Sequence, residues 1–259
     1  MSNDQDTIRI TQDGNVLVIT IDRVDARNAF DLATARQLEA ALDRLDEDTS
    51  VSVGIITGAG GYFCAGQDLK AVARGEAAMT SRRGPFGIMA KPAMKPLIAA
   101  IEGPALAGGF ELALSCDLIV ASRASVFGLP EVKHSLVAVG GALLRLPTRI
   151  PYHVAMEMIL LGQPVSAETM QGYGIINRVV EPGQALTSAL ELARSIAANA
   201  PLALKASKEI AFRKCAEGWT EERGWREQME IASAVFASKD FKEGLAAFAQ
   251  KRPPVWQGR

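Results

Sequence analysis

Two short segments rich in small residues are places where the main chain itself could do chemistry. Each follows a predicted buried strand, and they are 63–69 (FCAGQDL) and 103–111 (GPALAGGFE). Turns at the carboxyl ends of strands are where open α/β sheets bind ligands, and small residues let the backbone come close. If one amide from each turn points at the same place, the pair forms an oxyanion hole worth about 3 to 4 kcal/mol per donor. The alternative is two ordinary strand-to-helix turns, and spacing alone does not decide.

Two glutamates could supply acid–base chemistry beside these turns. Glu111 occurs in the apolar run GFELALS, where a buried carboxyl group would have a raised pKa and would need a partner or a purpose. Glu131 follows Leu129-Pro130 at the predicted start of another helix. Such a pair could exchange protons near neutral pH. Each glutamate could equally stabilise a first helical turn, so neither is informative alone.

Other familiar catalytic patterns are missing from the sequence. It contains no Walker phosphate loop, no GxGxxG, no GxSxG nucleophile elbow and no HExxH. The two histidines, His134 and His153, have no acidic partner at a telling spacing, so we expect both to be structural. We therefore expect neither a histidine triad nor a metal site.

The composition is typical of a folded globular protein and excludes several other classes. Of 259 residues, 48% are hydrophobic and 22% charged, unlike a disordered or fibrous chain. The 28 basic and 29 acidic side chains nearly cancel, so no nucleic-acid partner is expected. Three cysteines without a CxxC pair predict a reducing compartment, with the cytoplasm as default. The polar start MSNDQDT is unlike a signal peptide, and acidic residues interrupt the apolar stretch 97–120, so no membrane partner is expected.

Strands and helices alternate along the chain and must position these residues. A hairpin is predicted over 8–11 and 15–21 around Asp13-Gly14, and a helix capped by Asp31 feeds a strand over 51–57. Further strands are predicted over 97–101, 118–121 and 175–180, and helices over 109–115, 151–160 and 186–197. Such alternation indicates an α/β fold with crossover connections. Residues 74–92, with Arg82-Arg83-Gly84-Pro85, are predicted to form a mobile surface loop.

Three segments in this order resemble the crotonase, or enoyl-CoA hydratase, superfamily: FCAGQDL, IEGPALAGGFELALSCDLIVAS and FGLPEVKHSLVAVGGALLRLP. The resemblance extends from the first hairpin to the C-terminal EGLAAFAQKRPPVWQGR, so it covers practically the whole chain. It implies an α/β crotonase-like spiral of ββα units over residues 1–195 and a helical C-terminal trimerisation region over 196–259. It also implies a homotrimer, or a homohexamer built as a dimer of trimers.

The resemblance implies an enoyl-CoA hydratase-like lyase that adds water across the C2–C3 bond of an acyl-CoA thioester, or removes it. The thioester oxygen would lie between the N–H groups of Gln67 and Gly108. Glu111 and Glu131 would hold the water, one carboxylate acting as base and Glu131 giving the proton to C2. Coenzyme A is part of the substrate, and no separate cofactor is expected.

The same resemblance places coenzyme A along the loop 25–28. There Arg27 would contact a phosphate, unless it is simply a solvated surface residue. The pocket toward the adenine and pantetheine would be lined by Ala65, Gln67, Asp68 and Leu69. Lys251 matches a lysine that reaches a phosphate in some relatives, and a contact across a subunit boundary is one expectation.

The segment after the second glutamate departs from the hydratase pattern. Where well-studied hydratases are rich in glycine, this chain has Val139 and Ala142 around Gly140-Gly141, so we expect bulk at Val139 to narrow the acyl pocket. The PEVK segment and the C-terminal end also resemble the carnitinyl-CoA dehydratase branch. The open alternatives are that enzyme, another crotonase-family isomerase or hydrolase, and a non-catalytic acyl-CoA-binding homologue.

Overall fold

The computed structural model of the protein describes residues 6–259, so most of the polar N-terminal segment discussed above lies outside the described residues. The β-strands are Ile8–Asp13 (β1), Val16–Ile21 (β2), Val53–Gly58 (β3), Met79–Thr80 (β4), Gly84–Pro85 (β5), Leu97–Ile101 (β6), Ala105–Leu106 (β7), Leu118–Ser122 (β8), Val126–Gly128 (β9), Val165–Ser166 (β10) and Arg178–Val180 (β11). The α-helices are Leu32–Glu47 (α1), Leu69–Ala73 (α2), Gly108–Leu114 (α3), Ala142–Arg149 (α4), Tyr152–Leu161 (α5), Ala167–Gly172 (α6), Ala185–Ala197 (α7), Pro201–Ala216 (α8), Glu221–Phe236 (α9) and Lys239–Gln250 (α10). Two 3-10 helices cover Val24–Ala26 and Pro130–His134.

The main sheet has six strands in the order β1-β2-β3-β6-β8-β11. β1 and β2 form the predicted antiparallel hairpin, and the other neighbours pair in parallel. Successive side chains of a strand point to opposite faces. Val53 and Ile55 accordingly pack with Ala189 of α7, while Ile56 belongs to the larger core on the other face. Strands buried on both faces have continuous apolar sequences, as these strands do. The mostly parallel sheet with packed cores on both faces confirms the predicted α/β architecture.

Helix α1 forms where its sequence predicted it. The Asp31 carboxylate accepts a hydrogen bond from the N–H of Thr34 at 2.8 Å and so caps the helix. Leu38, Leu42 and Leu45 lie on one stripe of the helix and are fully buried. A second, three-stranded sheet has the order β10-β9-β7, and its strand β7 leads directly into α3.

The prediction of a surface loop over 74–92 is wrong. Its residues form the two-stranded sheet of β4 and β5, and Phe86, Ile88 and Met89 are buried in the main core. Arg83 is only 5% exposed, and its guanidinium donates to Asp43 and Asp46 of α1 at 2.9 Å and 2.8 Å. The segment packs on α1 because the carboxylates of Asp43 and Asp46 pair with Arg83. From its neighbours in the sequence alone, Arg83 is expected at the surface.

One further difference concerns the last strand of the main sheet. The strand predicted over 175–180 is paired only at Arg178–Val180, and Ile175 and Ile176 are buried ahead of it. Helix α7 forms over the predicted range and packs against β3, β6 and β8. Among the described residues, no helix is long and apolar enough to cross a membrane.

Candidate active site

The two glycine-rich turns lie against each other. Cys64 and Ala105 form a parallel β-bridge, and the N–H of Leu106 donates to the carbonyl oxygen of Cys64 at 3.4 Å. A Cβ atom at Gly109 would stand 2.0 Å from that carbonyl oxygen, so only glycine fits there. The approach of the turns, which the sequence left open, is thus built into the backbone.

The N–H groups of Gln67 and Gly108 belong to the two turns that meet at this junction. Gly66, with φ +100°, brings the first turn so close that a Cβ on it would lie 3.2 Å from the nitrogen of Gly108. Phe30 pairs with the residues around Gln67: its N–H donates to Gly66 and its carbonyl accepts from Asp68, each at 2.9 Å. Within residues 6–259, neither the N–H of Gln67 nor that of Gly108 has an acceptor. Free amides at adjoining turns are what an oxyanion site needs.

Ala107 carries backbone strain at the start of α3. Its φ of 52° with ψ of −129° is a conformation that non-glycine residues rarely adopt. The N–H of Ala107 donates to the carbonyl oxygen of Gly128 at 3.0 Å, which ties the strained residue to β9. The sequence did not mark Ala107 as special. Its conformation sets the direction of the following N–H, that of Gly108.

Glu111 lies one turn into α3 and is 4% exposed. Its Oε1 accepts a hydrogen bond from the N–H of Ala142 at 3.0 Å. Burial raises the pKa of Glu111 to about 7; the N–H groups of Ala142 and Gly140 oppose this rise, and the charge of Glu131 adds to it. The carboxyl group therefore titrates where a general base is most effective.

Glu131 lies in the first turn of the 3-10 helix Pro130–His134, where the sequence predicted the start of a helix. It is 9% exposed, and within the described residues its Oε2 has no hydrogen-bond partner. Burial raises the pKa of Glu131 as well. Since its charge acts on Glu111, the two carboxyl groups are close enough to interact. A buried oxygen without a partner is costly, which indicates a polar occupant from outside the chain.

Phe86 and Met89 complete the surroundings, although the sequence placed them in a surface loop. A Cβ at Gly108 would meet the Phe86 ring at 2.7 Å, and a Cβ at Gly140 would meet the Met89 sulfur at 2.5 Å. Phe86 is stacked on Phe30 with a centroid separation of 4.3 Å. The apolar run FGIM inside a Gly- and Pro-containing segment was the sequence signal for this packing.

The loop predicted to hold coenzyme A adjoins the first turn. The N–H of Ala65 donates to the carbonyl oxygen of Arg27 at 3.1 Å, so the two segments run together. Arg27 is exposed in a left-handed conformation, φ 51°, with its guanidinium 5.7 Å from the centre of the Tyr62 ring. An exposed guanidinium here is available to a phosphate.

Asp68 and Leu69 differ in what they offer a ligand. Asp68 caps α2, because Oδ1 accepts from the N–H groups of Lys70 and Ala71, and its Oδ2 pairs with Arg23 at 3.1 Å. Although burial opposes it, the hydrogen bond from Arg23 lowers the pKa of Asp68. Its carboxylate is thus occupied by the protein. Leu69 is 67% exposed and Ala65 is exposed, as surfaces for a ligand would be.

Val139 and Lys251 lie apart from these contacts. Val139 is 79% exposed, whereas Gly140 is buried beside Glu111. That Val139 narrows the acyl pocket stays a prediction. Lys251 is exposed at the end of α10, which packs on α9, and none of the contacts described above involves it.

His134 and His153 are exposed, and residues 6–259 contain no group of three His, Cys, Asp or Glu side chains able to hold a metal.

Comparisons with known proteins agree on one family. The family model described as enoyl-CoA hydratase/isomerase matches residues 11–259. The chain is 41% identical to a Mycobacterium tuberculosis protein named enoyl-CoA hydratase EchA19, over 95% of this chain and 94% of that protein. It is 40% identical to a carnitinyl-CoA dehydratase of Salmonella arizonae, over 98% and 99% of the two chains.

The fold agrees as well. The crystal structure of an enoyl-CoA hydratase from Mycobacterium tuberculosis has a TM-score of 0.95 and 51% identity, covering 98% of this chain and 100% of that one. The crotonase fold implied by the sequence motifs is thereby confirmed. The chain belongs to the enoyl-CoA hydratase/isomerase family.

Proposed function

We propose that the protein is an enoyl-CoA hydratase, a lyase that adds water across the C2–C3 double bond of a 2-enoyl-CoA thioester and catalyses the reverse reaction. The observation that carries this proposal is the pair of free N–H groups, on Gln67 and Gly108, beside two buried carboxyl groups with raised pKa. A site with amide donors and two carboxyl groups suits water chemistry next to a carbonyl group.

The proposed reaction begins with the thioester oxygen held by the N–H groups of Gln67 and Gly108. Electron withdrawal toward that oxygen makes C3 electrophilic. The carboxylate of Glu111 accepts a proton from the bound water, whose oxygen forms the bond to C3. The electron pair of the double bond moves onto the thioester as an enolate, and Glu131 gives a proton to C2. The charge of Glu131 raises the pKa of Glu111, so the protonation of one carboxyl group influences the other.

A carnitinyl-CoA dehydratase is the second candidate, favoured by the 40% identity to a protein of that name. It would use the same two amides and two carboxyl groups on another acyl group. Isomerase and hydrolase activities are less well supported, because two buried carboxyl groups suit the handling of water. A non-catalytic acyl-CoA binder would have no need of Glu131, whose buried Oε2 costs stability when it has no partner.

Binding of coenzyme A is proposed along Arg27, Ala65 and Leu69, with the backbone of Asp68. Lys251 would reach a phosphate from a neighbouring subunit, since the helix that precedes it packs on α9 in the single chain. The substrate itself carries the coenzyme A, and the proposed steps use no further cofactor.

Assembly into a homotrimer or homohexamer through residues 196–259 is part of the proposal. No residue of α8 or α9 is buried in the single chain. Large apolar side chains are exposed on the last two helices: Trp225 of α9 is 68% exposed and Phe248 of α10 is 87% exposed. Exposed apolar surface of this kind marks an interface.

All three cysteines are free thiols, which is consistent with the proposed reducing, cytoplasmic location.

The test is an assay of hydration with crotonyl-CoA and longer 2-enoyl-CoA thioesters. The reaction is monitored as the loss of the conjugated-enoyl absorbance. We expect turnover by the natural enzyme and a loss of about 10² to 10⁴-fold in Glu131→Gln. Parallel assays with carnitinyl-CoA measure the second candidate. Full activity of Glu131→Gln would refute the assignment. Tight thioester binding in calorimetry without product over hours would favour the non-catalytic alternative.

A further inference from the structure

We infer that Arg145 is a positioning residue that holds the Glu111 carboxyl group in place through the turn 140–142. The proposed function assigns no role to this arginine, which lies in α4 within the apolar run ALLRLP. The inference rests on the proposed function for its kinetic consequence. Its structural part concerns Glu111 alone and is tested separately.

The guanidinium of Arg145 joins three segments that surround Glu111. Its Nη1 donates to the carbonyl oxygen of Gly140 and to the Ser115 hydroxyl, each at 3.3 Å. Its Nη2 donates to the carbonyl oxygen of Met89. The Ser115 hydroxyl in turn donates to the carbonyl oxygen of Glu111 at 2.8 Å. One planar cation thus connects α3, the turn 140–142 and the segment that carries Met89.

The turn held by Arg145 is the one that binds the catalytic carboxylate. The N–H of Ala142 donates to Oε1 of Glu111, and Gly140 lies directly against Oε2. Gly141 has φ +110°, and a Cβ there would stand 2.2 Å from Nη1 of Arg145. Glycine at position 141 therefore leaves the space that the guanidinium needs. A shift of the turn would move the hydrogen bond that orients Glu111.

The charge of Arg145 has a second effect. Among the described residues, the hydrogen bonds of the Arg145 guanidinium go to neutral oxygens, the Ser115 hydroxyl and the carbonyl oxygens of Gly140 and Met89. The charged groups that act on Glu111 are Glu131 and Arg145 itself. Those acting on Arg145 are Arg149, which repels it, and Glu111 and Cys116, which attract it in their ionised forms. The arginine thus supplies the positive charge that favours ionised Glu111.

Three variants separate the geometric effect from the charge. Arg145→Lys keeps the charge but loses the rigid fork that reaches three oxygens, whereas Arg145→Gln removes the charge as well. Arg149→Gln is the matched control, because Arg149 lies one helical turn further along α4 and donates to Leu114 at 2.8 Å instead. Thermal unfolding of each variant reports on the fold. Glu111 is titrated in the substrate-free protein by NMR with ¹³C-labelled glutamate carboxyl groups, assigned with Glu111→Gln.

We expect Arg145→Lys to lower kcat by about 10 to 100-fold, as displacement of a catalytic group does, with little change in KM. The pKa of Glu111 should rise in Arg145→Lys, because the N–H of Ala142 moves away from the carboxylate, and should rise further in Arg145→Gln, which also loses the positive charge. Arg149→Gln should change neither quantity. Natural kcat in Arg145→Lys, or an unchanged Glu111 titration in Arg145→Gln, would overturn the inference. If the natural protein turns over no thioester, the proposed function fails, while the Glu111 titration still tests the role of Arg145.

Discussion

Gly140 and Glu111 are in such close contact that a single added carbon atom between them would clash. A Cβ at position 140 would stand 2.5 Å from Oε2 of Glu111 and equally near the Met89 sulfur. Three groups are therefore closely packed here: the Glu111 carboxylate of α3, the backbone of Gly140 and the Met89 side chain. Each of the three constrains the other two, as close packing in protein interiors requires.

Gly140→Ala should displace the Glu111 carboxyl group and lower kcat. Because the new methyl group would overlap both Oε2 and the sulfur, we expect a loss of about 10²-fold for a misplaced catalytic group. Steady-state kinetics with a 2-enoyl-CoA substrate measure it. Gly172→Ala is the control, since a Cβ there meets nothing within 4 Å. Equal activity of the two variants would contradict this account of Gly140.

The raised pKa of Glu111 should make stability fall as pH rises from about 4.5 to 7. Burial raises this pKa from 4.5 to about 7, so in that window the unfolded chain has released the proton and the folded chain has not. The free energy of unfolding then falls with pH, because the folded state binds more protons. The contribution of Glu111 is complete below pH 4.5 and lost above about 7.

Urea unfolding across this pH window measures the effect. Glu111→Gln cannot ionise, so it should lack that part of the slope, and Glu131→Gln should lack a further part of the same sign. The activity of the natural enzyme should change in the opposite direction, rising with pH through about 7 as Glu111 ionises. Parallel stability profiles for the natural protein and Glu111→Gln would disprove the assigned titration.

Ala107→Gly should stabilise the protein while leaving it active. The φ of 52° and ψ of −129° at Ala107 cost an alanine about 1 to 3 kcal/mol, and glycine adopts this conformation freely. After the greater entropy that glycine gives the unfolded chain is subtracted, we expect a net gain of about 1 kcal/mol. Ala105→Gly, in the adjacent strand β7, is the control and should destabilise by about 0.5 to 1 kcal/mol. Chemical denaturation of both variants decides, and a loss of stability in Ala107→Gly would exclude strain at this residue.

Arg83→Gln should destabilise the fold far more than Arg82→Gln does. Arg83 is 5% exposed and also donates to the carbonyl oxygens of Lys91 and Pro92, so its loss leaves buried groups unpaired at a cost of about 3 to 5 kcal/mol. The Arg82 side chain is 62% exposed, so solvent screens its ion pairs with Glu39 and Asp43 and their loss should change stability little. Limited proteolysis should cut Arg83→Gln first within 84–92. Similar unfolding midpoints for the two variants would show that Arg83 does not hold this segment.

Local patterns in the sequence determined the elements and the family. Asp31 and the leucines of α1, the hairpin turn at Asp13-Gly14 and the apolar runs of β3 and β6 carry their own periodicity, so each forms where it was predicted. The order and spacing of three motifs sufficed to assign the crotonase family and its α/β fold. The burial of Glu111 also followed from its apolar neighbours.

Only the tertiary structure decided how distant segments meet around those glutamates. The burial of Arg83 depends on Asp43 and Asp46, some forty residues earlier, so the segment 74–92 reads as a surface loop until α1 is placed beside it. The contacts of Met89, Gly140 and Arg145 with the surroundings of Glu111 likewise join parts of the chain that no local pattern relates. Periodicity reports on a residue's own element, whereas pairing of charges and close approach of backbones depend on which elements become neighbours in space.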